Sequence, residues 1–387
     1  MKKLLLVCLA ALTVATNANA DKLRFAYYPS LSPDGKTIYF SYNGDIYSVA
    51  SEGGTARSTV NIGGYENRPL VSPNGEYLAF SSDTQGNGDV YIIKLKSGEL
   101  KQLTYSEATD SPVSWSADSK YIYFESTRSG ARKTSYRVRA EGGTPELMFE
   151  GYFNTVVNLV ENPKTGEFLF NESTESINFP TRKGYVGDHN PNIKSWNPSN
   201  GTYKELSDYE GKDQWPMVDR KGNIYYVSDE FNKEGNIYKY VKGKEPLRLT
   251  GFDESVQYPS LSADGSAMVF LKDYAINLLD LSSGTTSEPE IIVNGSTVEV
   301  KRHFQEQKPS RAAVSPDGKK FALIIRGQLF VSDAKAKYLQ KLDTPSKERV
   351  SEVLWGKDNK TIYTSPEQTG AGLTSTAFQE TTVRRKD

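Results

Sequence analysis

The chain has 387 residues, a formal net charge of −1 at pH 7 and one cysteine, Cys8. The balanced charge argues against nucleic acid as a partner, because the phosphate backbone is bound by clustered lysine and arginine. Cys8 falls inside an N-terminal apolar run, so the rest of the chain can form neither a disulfide nor a thiolate metal site.

The first 20 residues have the pattern of a cleavable signal peptide. Lys2 and Lys3 precede an apolar run over Leu4–Val14, and Ala18-Asn19-Ala20 fits the small-x-small rule of signal peptidase. We therefore predict a signal peptide over residues 1–20 and a periplasmic or secreted location. The run is too short to cross a bilayer, and no later segment approaches about 18 consecutive apolar residues, so we expect no membrane span.

A phrase of ten residues recurs after the signal peptide. Its SPDG core predicts a β-turn, because Pro33 presets φ, Asp34 can accept local N–H bonds and Gly35 tolerates positive φ. The residues that follow alternate as in a strand with one buried face. The copies read LSPDGKTIYF from Leu31, VSPNGEYLAF from Val71, WSADSKYIYF from Trp115, LSADGSAMVF from Leu261 and VSPDGKKFAL from Val314.

The unit around each turn is a four-stranded antiparallel sheet that repeats every 40 to 45 residues or so, the period of a β-propeller blade. Units begin near Tyr28, Asn67, Asp110, Asn158, Gln214, Gln257, Ser310 and Glu352. The spacing becomes irregular after the sixth unit. We therefore predict an all-β chain: a six-bladed β-propeller over residues 21–300, then the first two blades of a second, incomplete propeller over 301–387. One eight-bladed ring is the competing count.

Two segments of the first propeller depart from the repeat. The fourth unit is followed by a long insert from Asn171 to Ile193, which is our first candidate for lining the channel. A strand near residues 21–27 or 290–300 is expected to complete the last blade and close the ring, because a single blade cannot bury both of its faces.

The order of these blades resembles a known family. YPSLSPDGKTIYFSYNGDIYSVASEGGTAR, ENRPLVSPNGEYLAFSSDTQGNGDVYII and the RGQLF of AVSPDGKKFALIIRGQLFVSDA are similar to the propeller region of tricorn-type periplasmic serine peptidases. Single blade phrases also resemble TolB and other propellers. The family resemblance implies two propellers followed by a PDZ domain and catalytic domains. Neither the PDZ domain nor the catalytic domains are recognisable in these residues.

The resemblance implies a non-catalytic scaffold that gates or channels peptides, or unfolded protein, to a serine peptidase domain. The alternative is a stand-alone propeller of TolB type that binds envelope proteins. No catalytic residue can be assigned in this chain, so enzyme activity is left open, although a full-length relative would be a hydrolase. We expect no cofactor, no metal and no nucleic-acid partner.

Few residues have the pattern of a chemical site. Asp188 and His189, in the polar insert, are the candidates for a peptide or partner contact. The sequence lacks the G-x-S-x-G, H-E-x-x-H and phosphate-loop motifs. Serines and aspartates of the repeated phrase are interpreted as turn residues, and the basic run from Thr127 to Arg139 either attracts carboxylates or lies on a solvated blade edge.

The C-terminal residues do not continue the eighth unit. After TIYTSPEQTG a blade strand is expected, but the chain reads AGLTSTAFQETTVRRKD. Codons shifted by one base can encode LNLYSISGNDGKKE over the same stretch. The tail from about residue 371 is therefore interpreted either as the product of a frameshift or as a natural truncation.

Overall fold

The computed structural model describes residues 23–130, 132–150, 155–293, 308–344, 349–366 and 379–382. The chain divides into two compact units, residues 1–295 and 296–387. The predicted signal peptide, the predicted boundary at residue 300 and most of the predicted frameshifted tail lie outside the described residues. Within the described parts, no helix is long and apolar enough to span a membrane.

The described strands of the first unit form six sheets, and each sheet contains four consecutive antiparallel strands. Blades 1 to 3 consist of β1 (Tyr27–Leu31), β2 (Thr37–Tyr42), β3 (Asp45–Ala50) and β4 (Gly53–Val60); β5 (Asn67–Val71), β6 (Tyr77–Ser82), β7 (Asp89–Lys94) and β8 (Leu100–Gln102); β9 (Ser111–Trp115), β10 (Tyr121–Ser126), β11 (Thr134–Arg139) and β12 (Glu146–Leu147). Blades 4 to 6 consist of β13 (Val157–Glu161), β14 (Phe168–Asn171), β15 (Lys194–Asn197) and β16 (Thr202–Glu205); β17 (Asp213–Val218), β18 (Ile224–Ser228), β19 (Asn236–Lys239) and β20 (Leu247–Arg248); β21 (Gln257–Leu261), β22 (Ala267–Lys272), β23 (Ala275–Asp280) and β24 (Thr286–Ser287). A short helix, α1 (Thr174–Asn178), lies in the insert of blade 4, and a further strand, β25 (Glu290–Val293), follows blade 6.

The core of the ring lies between blades rather than within them. Each hydrophobic cluster combines side chains of two neighbouring blades, as where Phe40 of blade 1 packs with Leu271 of blade 6. In five of the six blades, the second strand places a fully buried phenylalanine between neighbouring blades. Burial of each contributes roughly 2–3 kcal/mol. These residues are Phe40, Phe80, Phe124, Phe170 and Phe270.

The turns of the repeated phrase are held by their own side chains. The Ser32 hydroxyl donates to Asp34 (2.7 Å) and accepts from the Thr37 N–H (2.9 Å), while Asp34 accepts from the Lys36 N–H. Gly35 has a φ of +70°, as the turn requires. The interpretation of these serines and acidic residues as turn residues is confirmed, because the same contact recurs in the pairs Ser72 and Asn74, Ser116 and Asp118, Ser262 and Asp264, and Ser315 and Asp317.

Six blades close the ring. The innermost strand of blade 1, β1, contacts the innermost strands of both blade 2 and blade 6, so the single eight-bladed ring is wrong. The Phe25 N–H also donates to the Tyr274 carbonyl of blade 6 (3.0 Å). The fold predicted from the sequence, an all-β propeller, is confirmed.

The predicted closing strand has a different partner from the one expected. Blade 6 is already complete with β21 to β24, and β25 instead pairs in parallel with β4, the outer strand of blade 1. The expectation that a strand from 21–27 or 290–300 completes the last blade is therefore wrong. Gly53 and Glu290 are opposite each other in this pairing, and the absence of a side chain at Gly53 permits the close approach.

The second unit contains two further sheets over its described residues. One has four strands and the other has three, and a shared cluster that includes Ala322, Val331 and Ile362 forms their core. The strands are β26 (Arg311–Val314), β27 (Lys320–Ile325), β28 (Gln328–Asp333) and β29 (Leu339–Leu342), then β30 (Val350–Trp355), β31 (Thr361–Pro366) and β32 (Gln379–Thr382).

Candidate functional site: the channel of the six-bladed ring

The six innermost strands, β1, β5, β9, β13, β17 and β21, surround a channel. All six run in the same direction, since each begins a blade and leads into the repeated turn. We call the end where they start the bulge end and the end with the repeated turns the turn end. Hairpins between second and third strands and the links between blades also lie at the bulge end.

A bulge interrupts every innermost strand. In five of the six, a residue other than glycine adopts positive φ at the bulge, a conformation that costs of order 1–2 kcal/mol. In four of these the next residue is proline, which has no N–H to leave unpaired. The five residues are Tyr28, Arg68, Asn158, Trp215 and Tyr258, with φ between 48° and 56°.

The channel contains a cavity of about 250 Å³. Its lining comes from all six innermost strands and from three of the repeated turns, and it is mostly proline, leucine, valine and aromatic side chains. Among the lining residues, Arg68 is the only charged one. No residue of the Asn171 to Ile193 insert lines this cavity, so the channel wall belongs to the strands and not to the insert.

Three aromatic rings and Arg68 form a cluster at the bulge end. Tyr28 and Tyr258 meet edge to face with 4.8 Å between ring centroids, and Trp215 lies 5.7 Å from Tyr258. The Arg68 guanidinium lies 4.2 Å from the centre of the Tyr28 ring. Burial, followed by the neighbouring Tyr28, raises the pKa of Tyr258, so its hydroxyl stays neutral.

An arginine spans the turn end of the channel. Arg220, in the turn of blade 5, donates from its guanidinium to the carbonyl of Pro73, in the turn of blade 2. Blades 2 and 5 are opposite in a ring of six, so this side chain crosses the opening. The Arg220 backbone N–H also bonds to Ala263 of the neighbouring turn (2.9 Å).

The insert of blade 4 is fixed at the bulge end by a buried ion pair. Lys212 Nζ lies 2.7 Å from a carboxylate oxygen of Glu175, and both side chains are about 4% exposed or less. Arg182 also donates to Glu175. Burial alone would raise the pKa of Glu175, but the hydrogen bonds from Arg182 and Lys212 outweigh it and hold the pKa below its usual value.

The two residues singled out in the insert are exposed. Asp188 and His189 lie on its surface, away from the cavity lining, and the Ser173 hydroxyl donates to the His189 carbonyl. Their contact with a peptide or partner stays a prediction.

Most arginines of the basic run have carboxylate partners. Arg128 pairs with the buried Asp110, and Arg137 pairs with Glu146 on the neighbouring strand. These pairs favour the interpretation of the run as a blade edge. Nowhere in the described residues do three or more His, Cys, Asp or Glu side chains gather as a metal site requires.

The residues that line the channel could have been found in the sequence by one signal that we did not use. Four innermost strands carry an X-Pro pair at the same place relative to the repeated phrase: Tyr28-Pro29, Arg68-Pro69, Trp215-Pro216 and Tyr258-Pro259. The residue before this proline is the bulge residue that faces the channel in each case.

Comparison with known proteins agrees with this architecture. A family model described as the tricorn protease N-terminal beta propeller domain matches residues 24–285. The crystal structure of the tricorn protease superposes with a TM-score of 0.64 at 20% identity, covering 89% of this chain and 33% of that one. This likeness shows the shared fold.

Two archaeal relatives are similar in sequence over most of the chain. Identity is 25% over 317 residues to a tricorn protease homolog of Saccharolobus solfataricus, covering 79% of this chain and 28% of that protein. It is 25% over 356 residues to the tricorn protease of Thermoplasma acidophilum, covering 86% and 31%. The chain thus spans less than a third of the length of either relative. On the match of the family model to most of its length, the chain belongs to the family of tricorn protease N-terminal β-propeller domains.

Proposed function

We propose that the six-bladed ring is a non-catalytic scaffold whose channel admits extended peptide segments from its bulge end and gates their way to a serine peptidase region, since Arg220 crosses the turn end. The observation that supports this most directly is the cavity of about 250 Å³, walled by apolar and aromatic side chains from all six blades. Ligand pockets in proteins are lined mostly by apolar and aromatic side chains of this kind, with a few polar groups that orient the ligand. The relatives named as tricorn proteases are consistent with a peptide as the ligand.

Filling the cavity tests the proposal. Ser260 lies on β21, lines the cavity and is half-buried. The change Ser260→Trp places an indole in the cavity, whereas Ser97→Trp adds the same group to an exposed turn of blade 2. Fluorescence anisotropy of a labelled, unstructured peptide titrated with the full chain measures the affinity. We expect Ser260→Trp to lose binding and Ser97→Trp to retain it, with melting temperatures showing that both fold.

A different result would favour the stand-alone protein-binding module. The bulge end exposes aromatic side chains that such a module could use, since aromatic residues are enriched at protein interfaces. They are Phe25, Tyr65, Tyr105, Phe231 and Tyr274. If Ser260→Trp binds as the parent does while Tyr105→Ser and Phe231→Ser together lose binding, the ligand sits on this face and the channel proposal is wrong.

We also propose that the chain acts after export to the periplasm. The basic start, the apolar run and the Ala18-Asn19-Ala20 site support this. Expression in a Gram-negative host followed by N-terminal sequencing of the periplasmic fraction should give Asp21 as the first residue. Protein that stays in the cytoplasm with Met1 or Lys2 at its N-terminus would contradict the proposal.

A further inference from the structure

Arg68 is an isolated cation in an apolar cavity. It lies on β5 with a φ of +56°, and the other residues that line the cavity are uncharged. The Arg68 side chain is only partly buried, so a ligand in the channel can reach its guanidinium.

The described residues give Arg68 a ring and a hydroxyl, but no carboxylate within ion-pair distance. Its guanidinium stacks at 4.2 Å on the ring of Tyr28, and one amino group donates to the Tyr28 hydroxyl at 3.3 Å. A guanidinium has five N–H donors. Arg128 and Arg182, by contrast, each reach a buried carboxylate. Because the flat face of the Arg68 guanidinium stacks on Tyr28, the remaining N–H groups along its edge are available to another hydrogen-bond acceptor.

The surroundings of Arg68 would also suit an apolar group attached to that acceptor. Tyr258 and Trp215 continue the aromatic surface from Tyr28 around the bulge end. All four residues hold their side chains there through strained, positive-φ bulges. Backbone strain of this kind is concentrated at sites that bind ligands.

We propose that Arg68, Tyr28, Tyr258 and Trp215 form a carboxylate-binding site at the bulge end of the channel, selective for a carboxylate carried on an apolar or aromatic chain. Within a peptide, the carboxylate is either the free C-terminus or the side chain of Asp or Glu. The Arg68 fork accepts it in a bidentate pair, and the rings cover the apolar part. The peptide form of this inference rests on the proposed channel function.

Two probes separate the site from the channel function. The first is N-acetylphenylalanine against its amide, monitored by tryptophan fluorescence with Trp215→Phe as the reporter control. The second is one labelled apolar peptide in three forms: free C-terminus, amidated C-terminus, and amidated with one internal Glu. Each is titrated into the full chain and its variants Arg68→Gln, Arg68→Lys and, as the matched control, Arg57→Gln on the exposed face of β4.

We expect each probe with a carboxylate to bind about tenfold or more tighter than the neutral form, the value of a charge-assisted hydrogen bond. Arg68→Gln should abolish the difference, and Arg57→Gln should leave it unchanged. Arg68→Lys should keep part of it, because lysine retains the charge but loses the fork. A preference for the free C-terminus over internal Glu, or the reverse, identifies the source of the carboxylate.

Equal affinity of N-acetylphenylalanine and its amide for the parent protein would overturn the inference. So would an unchanged preference in both Arg68 variants with native melting temperatures. If the peptides still bind and Ser260→Trp still blocks them, the channel function survives that failure. If N-acetylphenylalanine shows the Arg68-dependent preference but no peptide binds, the carboxylate site stands and the channel function is wrong.

Discussion

Single side chains at the bulge end hold together parts of the ring that the backbone does not connect. The amide of the fully buried Asn171 donates to the carbonyls of Asn192 and Asp213, both at 2.9 Å. Its oxygen accepts from the backbone N–H of Trp215 (3.2 Å) and from the side chain of Asn158 (3.0 Å). One residue thus supports two of the strained bulges and the end of the insert. These bonds offset part of the strain.

Asp213, next to this network, makes the stability of the ring depend on pH. Burial raises the pKa of Asp213 to about 6, from the ordinary value of 3.8 that the side chain has in the unfolded chain. Between these values the folded state holds a proton that the unfolded state releases, so the free energy of unfolding falls as pH rises from about 4 to 6.

We expect Asp213→Asn to remove this fall, because the amide keeps the shape of the protonated acid and cannot ionise. Thermal unfolding of the variant and of the parent protein at closely spaced pH values between 4 and 7 measures how stability changes with pH in each. An identical slope in the two proteins would show that Asp213 is not the titrating group.

Among the elements of the ring, the insert of blade 4 is fixed by a buried ion pair and by hydrogen bonds. Lys212 donates to Glu175 and to the Phe179 carbonyl (2.7 Å), and Gln214 donates to the Pro180 carbonyl (2.8 Å). The insert therefore lies against the first residues of β17, which continue into Trp215 of the channel. Its position depends on keeping both buried charges compensated.

We expect Glu175→Gln to lower the free energy of unfolding by about 3 kcal/mol, because it leaves the Lys212 ammonium buried without a carboxylate. Tryptic cleavage within the insert, at Arg182 or Lys183, should become faster. Glu172→Gln is the control: its pair with Lys194 is partly exposed, and its loss should cost about 1 kcal/mol or less. Equal effects of the two changes would contradict the role given to burial.

The blades were predictable from the sequence because the residues of each turn contact one another locally. Contacts between segments far apart along the chain were not predictable. The predicted unit starts at Asn67 and Gln257 coincide with β5 and β21, because each turn phrase carries its own hydrogen bonds. The partner of β25 was not predicted, because the apolar segment EIIV can pair equally well with the outer edge of blade 6 or of blade 1. The Glu175 and Lys212 pair was missed for the same reason, since an irregular insert gives no periodic pattern from which contacts follow.

At the scale of the whole ring, β25 adds a second backbone connection between blade 6, which it follows along the chain, and blade 1, with which it pairs. A Cβ at Gly53 would lie 2.5 Å from the carbonyl oxygen of Glu290, whereas one at Gly54 would meet nothing within 4 Å. Both glycines have positive φ, +100° and +111°, so alanine strains the backbone similarly at either position. The two positions therefore differ in whether β25 can remain paired.

We expect Gly53→Ala to release β25 and Gly54→Ala to leave it paired, with the shared strain lowering stability in both. Hydrogen exchange of the backbone amides of residues 290–293, followed by mass spectrometry, distinguishes them. Equal protection of this segment in the two variants would show that the pairing tolerates a side chain at Gly53.

The parallel pairing of β4 with β25 can form only late in the synthesis of the chain. The two strands are about 240 residues apart, and synthesis at roughly 5–20 residues per second separates their appearance by roughly 12–50 s. During that interval the edge of blade 1 has no partner from its own chain, and exposed edges recruit other strands. Ribosome-stalled chains ending before Glu290 should therefore show β4 open to protease, and this exposure should end in chains long enough to contain β25.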